Sequence, residues 1–151
     1  MTREEIKVLV GRFYEDVINK RELAVADEIF ALNWVGYDPT SPNPLSGPEG
    51  VKREMTMYLS AFPDLRFTVE DLIAAGDKAV VRVTVRGTHK GELMGILPTF
   101  KECVVTGIDI HRLYGDRIVE TWSNWDALGL LQQLGVVSLP GEGEIGSAKA
   151  A

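Results

Sequence analysis

Cysteine is almost missing from this chain. Cys103 is the only one, so no disulfide can close within the chain and no thiolate metal cluster can be assembled from it. A lone thiol fits a reducing compartment, and a cytoplasmic protein is expected. Histidine is nearly as scarce: His89 and His111 are the only two, with no HExxH motif and no pair at helical i, i+4 spacing, so no zinc site is expected. Basic charge is short as well, with 16 Lys and Arg against 22 Asp and Glu and a net charge of −6. Phosphate backbones and anionic lipids are held by clustered Lys and Arg, which makes nucleic acid and membranes poor partners. No stretch approaches the roughly 18 consecutive apolar residues of a membrane span. The opening MTREEIKVLV places charges at Arg3, Glu4, Glu5 and Lys7 where a signal peptide is apolar. P-loop, GxGxxG and GxSxG motifs are all missing, and no cofactor is implied.

What is present suffices for a core. The chain has 151 residues, 45% of them hydrophobic and 25% charged, proportions that suit one folded domain. Residues 1–139 are read as that domain and 140–151, rich in Gly and Ala, as a flexible tail. Thr2 and Glu5 form a capping-box pattern ahead of Ile6, Leu9, Val10, Phe13, Val17 and Ile18, which predicts a helix over 3–19. Leu23, Ala26, Ile29 and Phe30 predict a second, shorter one. The segment 34–47 holds Pro39, Pro42, Pro44 and Gly47 and reads as one long ordered loop. Pro48 then sits in the first turn of a third helix carrying Val51, Met55, Tyr58, Leu59 and Phe62.

Beyond Pro63 the apolar period changes to two. Residues 65–74 and 78–88 predict one hairpin across Ala75-Gly76-Asp77, and 102–113 with 117–126 a second across Tyr114-Gly115-Asp116. A loop with a turn near Leu93-Met94 separates them, and Ala127 to Leu134 form a closing helix stopped by Gly135. Helices followed by an antiparallel sheet make an α+β domain with the helices on one sheet face.

Two polar sets carry chemical interest. Asp109 and His111 alternate with Ile108 and Ile110, so they share one strand face and could form an acid/base pair, or that face could simply be solvated. Asp126 lies at a strand end ahead of a helix, where Asp is a preferred N-cap. Trp122 and Trp125, three apart, belong on opposite faces unless a bulge intervenes. Arg86 near a strand end could reach a pocket rim, and His89 reads as a surface-loop histidine.

Several segments together, Gly47-Pro-Glu-Gly-Val-Lys52, Phe62-Pro-Asp-Leu-Arg-Phe67, Arg86-Gly-Thr-His89, Met94-Gly-Ile96, Thr106-Gly-Ile-Asp-Ile110 and Trp122 followed by Asp126-Ala-Leu-Gly-Leu-Leu-Gln-Gln-Leu-Gly135, resemble the SnoaL-like polyketide cyclases (ester cyclases) of the nuclear-transport-factor-2-like superfamily. The resemblance implies a cone-shaped, highly curved antiparallel sheet with three N-terminal helices enclosing a deep pocket. It implies an enzyme that moves protons without metal or coenzyme on a small hydrophobic oxygenated molecule, by intramolecular aldol closure or isomerisation. Asp126, with a pKa raised by Trp125 and Leu128, is the implied proton carrier, and Asp109 and His111 the implied cavity partners for an enolate oxygen. Trp34, Tyr37, Met55, Arg86, Thr88, Thr121, Trp122 and Trp125 are the expected pocket residues. A homodimer through the outer sheet face is expected by the same analogy. The alternatives are a non-catalytic small-molecule-binding protein of this fold and an epoxide-hydrolase-like enzyme, the latter weakened by Thr88 standing where those enzymes carry a carboxylate.

Overall fold

A computed structural model describes residues 1–141. The capping box is formed: Thr2 Oγ1 accepts from the Glu5 N–H at 3.1 Å, and Glu5 Oε2 accepts from the Thr2 N–H at 2.7 Å. These bonds satisfy two free amides at the start of α1 (Arg3–Arg12). The helix does not remain α-helical to Asn19, as the spacing predicts. Over Phe13–Asn19 it widens into a π-helix, with the Lys20 N–H bonded to the carbonyl of Glu15 at 2.9 Å. Phe13, Tyr14, Val17 and Ile18 of this segment all pack into the core. Asn19 then clasps the backbone of Phe67, donating to its carbonyl and accepting from its N–H, both at 2.9 Å.

The second predicted helix is only a 3-10 turn at Leu23–Val25 and the single turn α2 (Ala26–Ile29). The loop predicted over 34–47 is corrected more strongly. Phe30–Tyr37 form strand β1, and Leu45–Ser46 form a two-residue β2. The prolines confine irregular backbone to 38–44, whereas Phe30, Trp34 and Gly36 are buried strand residues. Helix α3 (Gly47–Ala61) follows with Pro48 in its first turn, buries Val51, Met55 and Ala61, and stops ahead of Pro63.

Strands β3 (Arg66–Ala75), β4 (Lys78–Thr88), β5 (Glu102–Tyr114) and β6 (Arg117–Trp125) agree closely with the predicted runs. Their tight turns use Gly76 and Gly115 at φ of +58° and +61°, a conformation that costs glycine little. The six strands form one curved sheet in the order β2-β1-β6-β5-β4-β3. It is antiparallel except where β1 runs parallel to β6, a departure from the fully antiparallel sheet that was expected. Helix α1 and the π-helix pack on β3, α3 packs on β1, and α4 (Ala127–Gln133) packs on β5. Gly135, at φ +81°, closes α4. The Val136 N–H reaches back to the Leu131 carbonyl and the Gly135 N–H to that of Gln132.

His89 is fully buried, correcting the expectation of a surface histidine. The segment after β4 folds back on the end of α3, where the N–H groups of Lys90 and Gly91 both bond the Ala61 carbonyl. This places the His89 ring 5.5 Å from Phe62 and its Nδ1 3.0 Å from Thr99 Oγ1. Of the expected tail 140–151, all but Pro140 and Gly141 lie outside the described residues.

Gly36 decides the position of one core ring. A Cβ built there would collide with the Trp34 indole, so the missing side chain lets that ring lie over β1. Gly36→Ala is expected to lower stability by about 1–3 kcal/mol, the usual cost of overpacking a core, as read from chemical denaturation. Gly11→Ala, where an added Cβ meets nothing, is expected to be neutral or slightly stabilising.

Candidate active site

Between the helices and the sheet lies a cavity of about 120 Å³, room for a ligand rather than for one or two waters. Its walls are mostly apolar, with Ile18, Phe62, Leu65, Phe67, Val83 and Val85 among them, and Asp38, Glu54, Tyr58, Asp109 and Ser123 supply polar groups. A smaller hollow adjoins it, sharing Phe13, Asp38, Glu54 and Ser123 and adding Trp34, Tyr37 and Thr121.

Asp109 ends a buried row of hydrogen bonds. Tyr14 Oη donates to Asp109 Oδ2 at 2.6 Å and lies 2.7 Å from His111 Nε2. His111 Nδ1 lies 2.8 Å from Thr121 Oγ1, which accepts from Trp34 Nε1–H at 3.0 Å. Tyr14, Trp34 and His111 are no more than 4% exposed. Donor chemistry fixes the direction of the row. An indole N–H can only donate, so Thr121 accepts from Trp34 and turns its own proton to His111 Nδ1. His111 is then the Nε2–H tautomer and donates to Tyr14, whose proton goes to Asp109. The reverse direction would leave the Thr121 proton without an acceptor in a buried place, which costs about 1–3 kcal/mol. Burial lowers the His111 pKa against the opposing pull of Asp109, so the ring is held neutral. Burial, reinforced by the Asp109 charge and hydrogen bond, raises Tyr14 well above its ordinary value and keeps it a phenol.

The other carboxyls stand differently. Asp38 accepts three bonds: from Trp125 Nε1–H at 2.9 Å, the Thr40 N–H at 2.7 Å and Thr40 Oγ1 at 2.6 Å. Glu54, on α3, has no hydrogen-bond partner among the described residues. Burial, and then the negative charges of Asp38 and Asp109, push its pKa up to about 7. Tyr58, one turn further along α3, is also raised, by burial first and then by Glu54 and Asp38.

Of the residues expected at the site, Asp109, Met55, Arg86 and Trp125 line the cavity, and Trp34, Tyr37 and Thr121 line the adjoining hollow. The rest are corrected. Asp126 is exposed, and its Oδ1 accepts the Gly129 N–H at 2.8 Å as the N-cap of α4. The apolar enclosure expected around it does not form: Asp126 follows the last residue of β6 and is not part of the cavity lining. His111 is inside but sits behind Tyr14 with both nitrogens engaged, so it positions rather than touches a ligand. Thr88 lies outside the cavity lining, its N–H and hydroxyl bonded to Asp64 at 2.7 Å each. Trp122 faces away from Trp125 and stacks on Tyr37 at 6.1 Å and 15°. Arg86 belongs to the cavity lining while remaining exposed to solvent.

Tyr14, Asp38, Glu54 and Ser123 are site residues that the sequence reading missed. Glu54 had a signal: it stands three residues after Val51 and four before Tyr58, an acid on the apolar face of α3. Tyr14 had one as well: it stands four residues after Val10 and three before Val17, on the apolar face of the first helix.

A family model described as SnoaL-like polyketide cyclase matches residues 8–134. No curated protein matches the chain. Among solved structures, AclR of Streptomyces galilaeus, provisionally described as a hydroxylase, is 29% identical with a TM-score of 0.81, covering 99% of this chain and 93% of its own. IdmH of Streptomyces antibioticus, provisionally described as a polyketide cyclase, is 31% identical with a TM-score of 0.76, covering 86% and 98%. A SnoaL-like protein from Jannaschia sp. CCS1 has a TM-score of 0.82 at 17% identity, covering 90% and 95%, and shares the fold.

The raised Glu54 pKa has a consequence for stability. A carboxyl that holds its proton more tightly folded than unfolded loses stabilising free energy as pH rises from about 4.5 to about 7. Glu54→Gln removes that loss. The variant is expected to be more stable than the parent by about 1–2 kcal/mol at pH 8, after discounting for partial solvent screening, with the difference vanishing near pH 4.5, as measured by urea denaturation across that range.

Proposed function

The chain belongs to the SnoaL-like polyketide cyclase family, and from that premise we propose that it is an acid/base enzyme that closes or isomerises a small hydrophobic oxygenated substrate, with Asp109 as the general base. The observation that carries this reading is the row of donors ending on Asp109. It delivers one hydrogen bond to Oδ2 from a phenol that burial holds protonated, and leaves the carboxylate at the wall of a mostly apolar cavity. A carboxylate there meets a carbon acid in a low-dielectric setting, where proton transfer is more favourable than in bulk water. The provisional descriptions of IdmH as a cyclase and AclR as a hydroxylase agree with chemistry on an oxygenated ring precursor.

In the aldol version, Asp109 takes a proton from the carbon between or beside carbonyl groups. The enolate carbon then attacks a second carbonyl of the same molecule. Tyr14 holds Asp109 in place, and Thr121, Trp34 and His111 hold Tyr14. Ser123, paired with Asp109 across the sheet and lining the cavity, is placed to donate to the enolate oxygen. Epoxide opening is not proposed, because Thr88, which stands where the resemblance would need a carboxylate, is a threonine outside the cavity lining and bonded to Asp64. A homodimer through the outer sheet face, where Ile73 and Ile108 are 59% and 49% exposed, belongs to the same proposal.

The probe that tests the base is 1-phenylhexane-1,5-dione, a phenyl ketone joined through three carbons to a methyl ketone whose methyl carbon closes a six-membered ring on the phenyl ketone, incubated in D2O. The parent chain is expected to catalyse α-proton exchange. Asp109→Asn is expected to lose about 10²-fold or more in that rate while still binding the probe, as read by quenching of tryptophan fluorescence. Undiminished exchange in the variant would overturn the role of Asp109, and a parent chain that binds the probe without exchanging its α-protons would leave a binding protein of the same fold.

A further inference from the structure

Aldol closure needs a second proton transfer, to the acceptor oxygen, and Asp109 is engaged with the donor carbon when that oxygen becomes charged. Once the α-proton is on Asp109, the enolate carbon bonds the acceptor carbonyl carbon. The carbonyl π pair moves onto its oxygen, and that oxygen takes up a proton. The closure is a rearrangement of one molecule, so no other reactant enters, and the proton left on Asp109 returns through solvent to the group that gave one up. Something at the cavity wall must be that donor.

The lining residues leave few choices. The Tyr14 proton is committed to Asp109, and His111 lies behind Tyr14. The Trp125 Nε1–H is committed to Asp38. Asp38 already accepts three hydrogen bonds, the role of a carboxylate. Tyr58 and Ser123 are hydroxyls, weak acids to begin with, and Tyr58 is made weaker by burial and its acidic neighbours. Cys103, also at the wall, is raised by burial. Glu54 is the remaining carboxyl. It projects from α3 on the helical side of the cavity while Asp109 stands on β5, on the sheet side, and no side chain of the described residues bonds it.

We propose that Glu54 is the catalytic acid of the site, delivering its proton to the acceptor oxygen as Asp109 takes one from carbon. The proposal rests on the reading of Asp109 as base. The charged groups that face Glu54 favour a proton on it: the carboxyls of Asp38 and Asp109 add to its burial. The nearest cation along α3, Lys52, is held by Asp27 at 2.7 Å and Glu49 at 3.0 Å, Arg53 is exposed, and Arg86, which lines the cavity with its side chain largely in solvent, is not among the groups that act on Glu54. With its pKa near 7, Glu54 exchanges its proton in the neutral range, where an acid is most useful.

The same diketone tests this, because its two reactions separate the two carboxyls. Exchange of the α-proton reports Asp109, and closure to the ring reports both. In the full chain, closure is expected to decline above about pH 7 as Glu54 ionises. Glu54→Gln is expected to slow closure by about 10²-fold and abolish that decline, while exchange falls far less, and Glu54→Asp recovers part of the closure rate. Asp109→Asn is expected to suppress both reactions. Closure by Glu54→Gln at the parent rate, or with the parent pH profile, overturns the role of Glu54 and leaves Asp109 standing. Exchange that survives Asp109→Asn overturns the base instead, and a parent chain inert in both reactions overturns both assignments.

Discussion

The hydrogen bond from Tyr14 to Asp109 is the constraint on which the rest of this site depends. A carboxylate at the wall of an apolar cavity is costly unless a donor meets it, and here that donor is a single buried phenol. To be there, Tyr14 must point inward from the π-helical segment Phe13–Asn19. To give its proton to Asp109, it must receive one from His111, so His111 must carry hydrogen on Nε2. That in turn requires Thr121 to serve Nδ1, Trp34 to serve Thr121, and Gly36 to leave room for the Trp34 ring.

This row differs from an ordinary polar core in its direction. Each member donates to the next, and the dipoles accumulate toward Asp109. Satisfied networks of this kind are rigid, and one missing partner strands a buried donor. Glu54 shows the opposite arrangement: no donor meets it, two carboxyls face it, and its proton is held up to neutral pH. One cavity thus holds a carboxyl prepared as an acceptor and another prepared as a donor, the separation by environment that acid/base sites use.

Much of the architecture was legible because it is written locally. The capping box at Thr2 and Glu5, Pro48 in the first turn of α3, and the glycines of both hairpins each name their own backbone conformation. The face shared by Asp109 and His111 followed from strand alternation, and the opposite facing of Trp122 and Trp125 from the same rule. What was hidden depends on partners distant in sequence. Strand β1 is held in parallel by β6, which no local pattern announces, and so Trp34 was placed in a loop. His89 looked exposed because the fold-back onto Ala61 is a tertiary event. Asp126 illustrates the opposite error: its local signal as an N-cap was correct, and the resemblance drew attention away from it toward a catalytic role that its exposure does not support.

The most direct test of the account is the protonation of one ring. In long-range ¹H–¹⁵N correlation spectra of the ¹⁵N-histidine-labelled chain, His111 is predicted to be neutral, with hydrogen on Nε2 and a bare Nδ1 at neutral pH. Its pKa is predicted to lie below the ordinary 6.5, because burial disfavours the charged ring. Hydrogen on Nδ1, or an imidazolium at neutral pH, would contradict the account, since the row would then no longer run from Trp34 to Asp109.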